Sequence, residues 1–421
     1  MPTTLTTIFL LSIFISPQMT EKTIDDYNEH TYQILEDDLT VSLSRTDSAI
    51  AMAEDLDYEF GKAYALFQKG YLFDEQNESG KALLANLKAL KILSNIDGEE
   101  EDLLSIKLYI NTGLLLSQHY KYDEAIQYYK EGLQIAERYR LQEWIAEYQY
   151  KIGYAFKKQG NLDFAAEWFV HASKSSANLE DDYIYVNSLN MLGLTFSANE
   201  DYPLAREYFG KVLEHSYKNI SQSKYHGKAY HNIANTYQFE NLPEKSEKFF
   251  LKSLKEKEKR NKGKELFITR LDLADLYLTT GQLAKAEVLA LTCESMYDEL
   301  KNKPENYKLF SLLRKIDYKK GNYIQAEAYA ERYEKENQLF INQQQQLIRI
   351  RDQFKMDMLT ASYFNELERD RQIAQLTNSI YLIVLFIFIG FTLWKIRQLY
   401  VKRMLERELR TAIRDFNIDD L

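Results

Sequence analysis

Residues 106–138 read IKLYINTGLLLSQHYKYDEAIQYYKEGLQIAER. Tyr109, Gly113 and Leu116 recur at the spacing of one helix face. A polar turn follows at His119, Tyr120 and Lys121, and Asp123 stands where it can cap a second helix. That helix carries Ala125, Ile126, Tyr129, Leu133 and Ala136 on one face. Antiparallel helices approach closely only where a small side chain sits at the crossing, so Gly113 and Ala125 predict the contact between the two. The aromatics are expected to fill the wider space between one helical pair and the next.

The signature returns about every 40 residues in both directions. Ala82, Ala125, Ala165, Ala205, Ser246, Ala286 and Ala326 share one phase. Gly70, Gly113, Gly153, Gly193, Ala234 and Ala274 precede them, with Arg314 in the last copy. Tyr129, Phe169, Phe209 and Phe250 follow them. Self-similarity at this period means stacked two-helix units rather than one closed core, so the expected fold is all-α. Five prolines and fifteen glycines in 421 residues leave little room for turn-rich β structure.

On these residues the chain resembles the tetratricopeptide (TPR) repeat, a pattern of about 34 residues. Tyr109, Gly113, Leu116, Tyr122, Ala125 and Tyr129 match it, as do Gly153, Phe156, Leu162, Ala165 and Phe169. So do Leu189, Gly193, Phe196, Tyr202, Ala205 and Phe209, and Tyr230, Ala234, Tyr237, Leu242 and Phe250. The resemblance implies an α-solenoid, a right-handed superhelix of helix pairs, with about seven repeats over 63–340. A degenerate helical pair over 19–62 is expected before it, since end units face solvent on one side. The longer period implies extended helices, and the family's helix-ending proline is missing.

Two apolar segments lie outside the array. Leu5 to Ile15 has the length of a signal-peptide core, so 1–18 is expected to be a secretory signal, although no Lys or Arg precedes it. Leu376 to Trp394 carries no charge. At about 1.5 Å per residue it spans roughly 28 Å, which predicts a single transmembrane helix over 376–394. Lys395, Arg397, Lys402 and Arg403 follow it, so the positive-inside rule places the 395–421 tail in the cytoplasm and the array in the periplasm, with the chain in the inner membrane. Between array and span, 341–375 has no Gly or Pro, and Phe340, Leu347, Phe354 and Ala361 fall seven apart. Three readings stay open there: a capping helix, a coiled coil making a homodimer through 340–364, or both in succession. The tail reads as one helix, through Leu399, Leu405, Leu409 and Ile413.

A search for chemistry returns little. The six histidines form no metal-ligand spacing, and phosphate-loop, nucleophile-elbow and dinucleotide fingerprints are missing, so neither an enzyme nor a cofactor is expected. A net charge of −10 argues against nucleic acid as a partner. The lysine-rich run from Lys245 to Lys264 is interleaved with Glu247, Glu256 and Glu258 and reads as a solvated face. The one cysteine, Cys293, excludes an internal disulfide and falls at a packed position.

The resemblance implies a site instead. In TPR proteins the first helix of each pair lines a concave groove. Carried onto this chain, the groove positions are Glu147, Tyr150, Tyr154 and Lys157; Asn187, Asn190, Leu194 and Ser197; and Lys228, His231, Asn235 and Gln238. Asn187, Asn190, Asn232 and Asn235 form a group whose amides could hold an extended backbone, or merely bond neighbouring turns. The expected partner is a protein or peptide, and the layout resembles the sensor half of TPR-bearing membrane regulators of the Bacteroidota type. Those continue into a histidine kinase or helix-turn-helix domain, so a separate kinase or regulator is a further expected partner. The alternatives are a structural scaffold of a membrane complex, or a truncated sensor.

Overall fold

The computed structural model describes residues 20–33, 39–76, 78–218, 225–260, 263–300 and 308–416. The expected signal segment, 1–18, lies outside them. The chain divides into two units, Met1–Phe354 and Lys355–Leu421.

The first unit is a stack of helical pairs. α1 (Glu21–Gln33) pairs with α2 (Leu39–Asp55), α3 (Glu59–Glu75) with α4 (Ser79–Leu93), and α5 (Glu99–Gln118) with α6 (Tyr122–Arg138). α7 (Gln142–Gln159) pairs with α8 (Leu162–Ser176), α9 (Tyr183–Ala198) with α10 (Tyr202–Lys218), and α11 (His226–Phe239) with α12 (Pro243–Glu258). α13 (Gly263–Thr279) and α14 (Leu283–Leu300) follow, then α15 (Lys308–Lys320) and the start of α16 (Tyr323–Phe416). From α1 to α15 each helix packs on its neighbour in sequence, and α3 also meets α5, α5 meets α7, α7 meets α9, α9 meets α11, and α13 meets α15. The odd-numbered helices therefore line one continuous face, the inner face of a TPR-like solenoid.

The small residues and the aromatics turn out to be partners. A methyl group added at Gly113 would lie 2.2 Å from the Tyr129 ring, at Gly193 2.4 Å from Phe209, and at Gly153 2.9 Å from Phe169. Each ring thus sits on the glycine of its own pair, not only in the space between pairs. From Tyr129 the next pair is reached as well, since its ring meets Tyr148 of α7 edge-on at 6.3 Å, whereas Phe169 meets Tyr150 of its own pair at 5.7 Å. Tyr148 is fully buried, and its hydroxyl donates to the Ile106 carbonyl in α5, tying α7 across α6 to the preceding pair. Ser246, the polar substitute in the alanine phase, is buried and satisfied: its Oγ donates to the Ala234 carbonyl at 3.0 Å. Cys293 is buried as expected, with burial pushing its thiol up to about 12.

The turns within pairs repeat one backbone device. Lys121, Asn161, Asp201, Leu242, Gln282 and Asn322 each donate their N–H to the carbonyl five residues earlier, closing the first helix. The preceding residue is left-handed, a glycine at Gly160, Gly281 and Gly321 but Tyr120, Glu200 and Asn241 elsewhere. Asp123 does not cap α6: the capping position is Lys121, without a side-chain bond, and Asp123 sits in the first turn, accepting from Gln159 Nε2 at 2.7 Å.

In the second unit the chain is helical to Phe416. Its stretch Arg369–Thr411 is long and apolar enough to cross a membrane, and none of its apolar window is buried. Ile380 to Trp394 stand open, with Phe386 71% exposed, so this is not a core helix of the described chain.

Candidate binding groove

α7, α9 and α11 carry the expected groove residues on their shared inner face. Tyr150, Tyr154 and Lys157 are half-buried on α7. Tyr150 packs against Phe169, and Lys158 Nζ lies 5.4 Å above the Tyr154 ring. Burial, with the neighbouring Lys158 cation, holds the Lys157 ammonium below its usual range.

The amides do not form one ladder. Asn187 and Asn190 are buried on α9. Asn187 Nδ2 donates to the Tyr183 carbonyl at 2.8 Å and to Tyr225 Oη at 3.3 Å, which ties it to local structure. Asn232 Nδ2 donates to Asn190 Oδ1 at 2.9 Å and staples α11 to α9. Asn190 Nδ2 is left buried without a partner. On α11, His231, Asn232, Asn235 and Gln238 are half-buried and Lys228 is exposed. Asn235 Nδ2 lies 3.2 Å from His231 Nε2.

A polar cluster joins this face from behind, and sequence reasoning missed it. Lys257 of α12 belongs to the lysine run read as solvated, yet it is only 6% exposed. Its Nζ donates to Thr269 Oγ1 at 2.6 Å and to the Glu265 carbonyl at 3.4 Å. Burial brings its pKa down to about 8, against the pull of Glu265 and Asp272. His231 Nδ1 lies 3.2 Å from the same Thr269 hydroxyl. Burial, with Lys257 nearby, lowers His231 to about 3, so the imidazole is neutral at physiological pH. Its contact with Asp272, 3.3 Å from Nε2 to Oδ2, is therefore a polar contact to a neutral ring and not an ion pair. Burial and Asp275 raise Asp272 to about 6. The Asp272 side chain is 38% exposed and lines a cavity.

That cavity, about 320 Å³, continues the groove. Leu271, Asp272 and Asp275 of α13 line one side, and Lys308, Ser311 and Lys315 of α15 another, with Tyr333 of α16. Among the described residues no ion pair involves Asp275, Lys308 or Lys315. The signal for these residues was present. Lys308, Ser311 and Lys315 stand 80 residues after Lys228, His231 and Asn235, two full repeats on, and Leu271 and Asp275 stand one repeat on. The phase that marked α11 marks α13 and α15 equally.

Two of the helical pairs match the tetratricopeptide repeat family: residues 107–139 and residues 227–260. Solved structures share the fold. A signal-transduction ATPase with numerous domains and a TPR sensor, from Pyrococcus horikoshii, is 15% identical; the match covers 78% of this chain and 49% of that one, at a TM-score of 0.55. This chain therefore spans about half the length of that protein. The apo form of RapI is also 15% identical, covering 66% of this chain and 99% of that one at a TM-score of 0.50. A TPR protein from Parabacteroides merdae, again 15% identical, covers 69% of this chain and 98% of its own at 0.48. No curated protein matches the sequence. Two of this chain's helical pairs thus match the tetratricopeptide repeat, and at these identities the likeness to the solved structures is one of fold.

Proposed function

We propose that this protein is a membrane-anchored interaction module that holds an extended peptide or protein segment along the inner face of α7, α9, α11, α13 and α15. The observation that carries the reading is the row of half-buried polar and aromatic side chains on that face: Tyr154, Lys157, His231, Asn235 and Gln238, leading into the cavity beside Asp275 and Lys308. Together these side chains offer both donors and acceptors to a backbone, and the aromatic Tyr154 adds apolar area with a polar tip. Asn187, Asn190 and Asn232 act in this reading by fixing the helices that present the others. Lys228 stands exposed at the N-terminal end of α11.

The apolar Arg369–Thr411 stretch supports an anchor. The basic residues after Trp394 support a cytoplasmic tail, and hence an array on the far side of an inner membrane, where a signal over 1–18 would deliver it. In this reading a bound segment is signalled inward, and the tail engages a separate kinase or regulator. The heptad positions over 340–364 favour a second copy as a further partner. A scaffold that docks through its even-numbered helices is the competing function.

The two separate by experiment. The full chain in detergent micelles is screened against an array of extended peptides, beside the variant Tyr154→Ala with Gln238→Ala. The groove reading expects capture to weaken by about tenfold or more, the loss of an anchoring side chain, with thermal unfolding unchanged. Undiminished capture, or none by either protein, favours the scaffold.

A further inference from the structure

Between α13 and α15 the inner face carries opposite charges that do not meet. Asp275 and Lys315 stand 40 residues apart, at the same place in successive repeats, and line one cavity from its two sides. Asp272 lies one turn before Asp275 on α13, and Lys308 two turns before Lys315 on α15. The carboxylates are half-buried and the ammoniums exposed. Among the described residues Asp275, Lys308 and Lys315 have no ion-pair partner, and Asp272 touches only the neutral His231 ring.

Elsewhere the array closes such charges. Arg206 meets Glu240 at 2.6 Å, Arg138 meets Asp102 at 3.0 Å, and Lys285 meets Glu247 at 3.4 Å. Each pair joins residues 34 to 38 apart in the chain. At α13 and α15 a cavity of about 320 Å³ keeps the two signs apart. Burial, with Asp275 beside it, raises Asp272 to about 6 in spite of the pull of Lys257 and Lys308. The protein's own cations therefore leave the α13 carboxylates under-compensated. What this place lacks is a cation against one wall and an anion against the other, and one ligand can supply both.

The dimensions favour an extended chain. Packed helices lie about 8–10 Å apart. Side chains on one face of an extended segment recur every two residues, about 6.7 Å, and long side chains close the remainder. The cavity volume is at the lower end for ligand pockets, which suits side chains of a segment rather than a folded partner.

We propose that this end of the groove selects extended segments carrying a basic and an acidic side chain two residues apart, the basic one toward Asp272 and Asp275 of α13 and the acidic one toward Lys308 and Lys315 of α15. The inference rests on the groove reading and adds a ligand class to it: mixed-charge segments, in preference to wholly basic, wholly acidic or neutral ones. A segment of one sign would set like charge against one of the two helices.

Calorimetric titration of the full chain in detergent micelles tests it. The parent probe is Ac-Ala-Ser-Ala-Lys-Ser-Glu-Ala-Ser-Ala-NH2. It is compared with versions that exchange lysine and glutamate, put glutamine for either charge, or put glutamine for both. Each charge should contribute about threefold to fivefold, the upper range for exposed ion pairs. The mixed-charge probe, in one of its two orders, should therefore bind about tenfold or more tighter than the doubly neutral one. Asp275→Asn should remove most of the lysine's share, and Lys315→Gln most of the glutamate's. Each share is a ratio between probes on one protein, so a general loss of folding does not mimic it. Equal binding of mixed-charge and neutral probes, or tighter binding of a singly charged probe, overturns the selection and leaves the groove reading standing. Shares indifferent to both substitutions overturn the placement of the charges. No binding by any probe overturns the groove reading with it.

Discussion

Lys257 carries a charge where charge is costly. Its folded pKa lies near 8, below the ordinary 10.5, because burial disfavours the ammonium. A lowered pKa gives stability that is present above 10.5 and lost as pH falls through about 8. At pH 7 the folded protein therefore bears the whole penalty. Lys257→Met fills similar space and should raise stability at pH 7 by about 1–3 kcal/mol. Chemical denaturation across pH should show that gain shrinking between pH 8 and 10.5; a gain that ignores pH, or a loss, contradicts the assignment. Asp272 works in the opposite window, since its raised pKa favours the folded state below the ordinary 3.8 and that help is gone above about 6. The burial of Lys257 was half legible in the sequence. Ser246, Phe250, Ser253 and Lys257 share one helix phase, and the first three are core positions. The residue type concealed what the phase said, because lysine in a mixed-charge run is normally solvated.

At the scale of the helix pair, the glycines and the rings they carry decide how close two helices lie. Gly113→Ala would drive a methyl into Tyr129, whose hydroxyl is tied to Ser117 at 3.3 Å and whose ring is backed by Tyr148. It should cost about 1–3 kcal/mol, as overpacking does. Gly153→Ala meets Phe169 at a more forgiving 2.9 Å. Ala234 already occupies the same place near Phe250, both fully buried in one core cluster. That change should fall within about 1 kcal/mol of neutral, since alanine's better helix propensity offsets the contact. Urea unfolding of the two variants checks the order, and equal costs would contradict it. Helix existence and pairing were readable from the 40-residue phase alone. The seat of each ring was not: helical side chains lean back toward the N-terminus, which turns Tyr129 onto Gly113 of its own pair instead of leaving it to the gap beyond. Asp123 was misplaced for a related reason, as the turn closes through left-handed Tyr120 and puts the cap at Lys121.

For the molecule as a whole, the proposed function has the array meet its ligand on one side of a membrane and the apolar helix anchor it. Alkaline phosphatase joined at residue 330 should be active and at 421 inactive; activity only at 421 would reverse the proposed orientation. The candidate span was legible as an uncharged run, and none of its apolar window is buried in the described chain. The proposed groove is only partly traceable to the sequence. Repeat phase locates the proposed positions, but Asn187 bonds the Tyr183 carbonyl and Tyr225, Asn190 accepts from Asn232 of α11, and the charges at Asp275, Lys308 and Lys315 meet around one cavity only when α13 and α15 stand side by side. The most direct test is site-specific photocrosslinking of the full chain in native membranes, with the reactive amino acid at Gln238 on α11 or at Lys255 on α12. The groove account predicts a discrete adduct from Gln238 and none from Lys255. An adduct from Lys255 alone would contradict it.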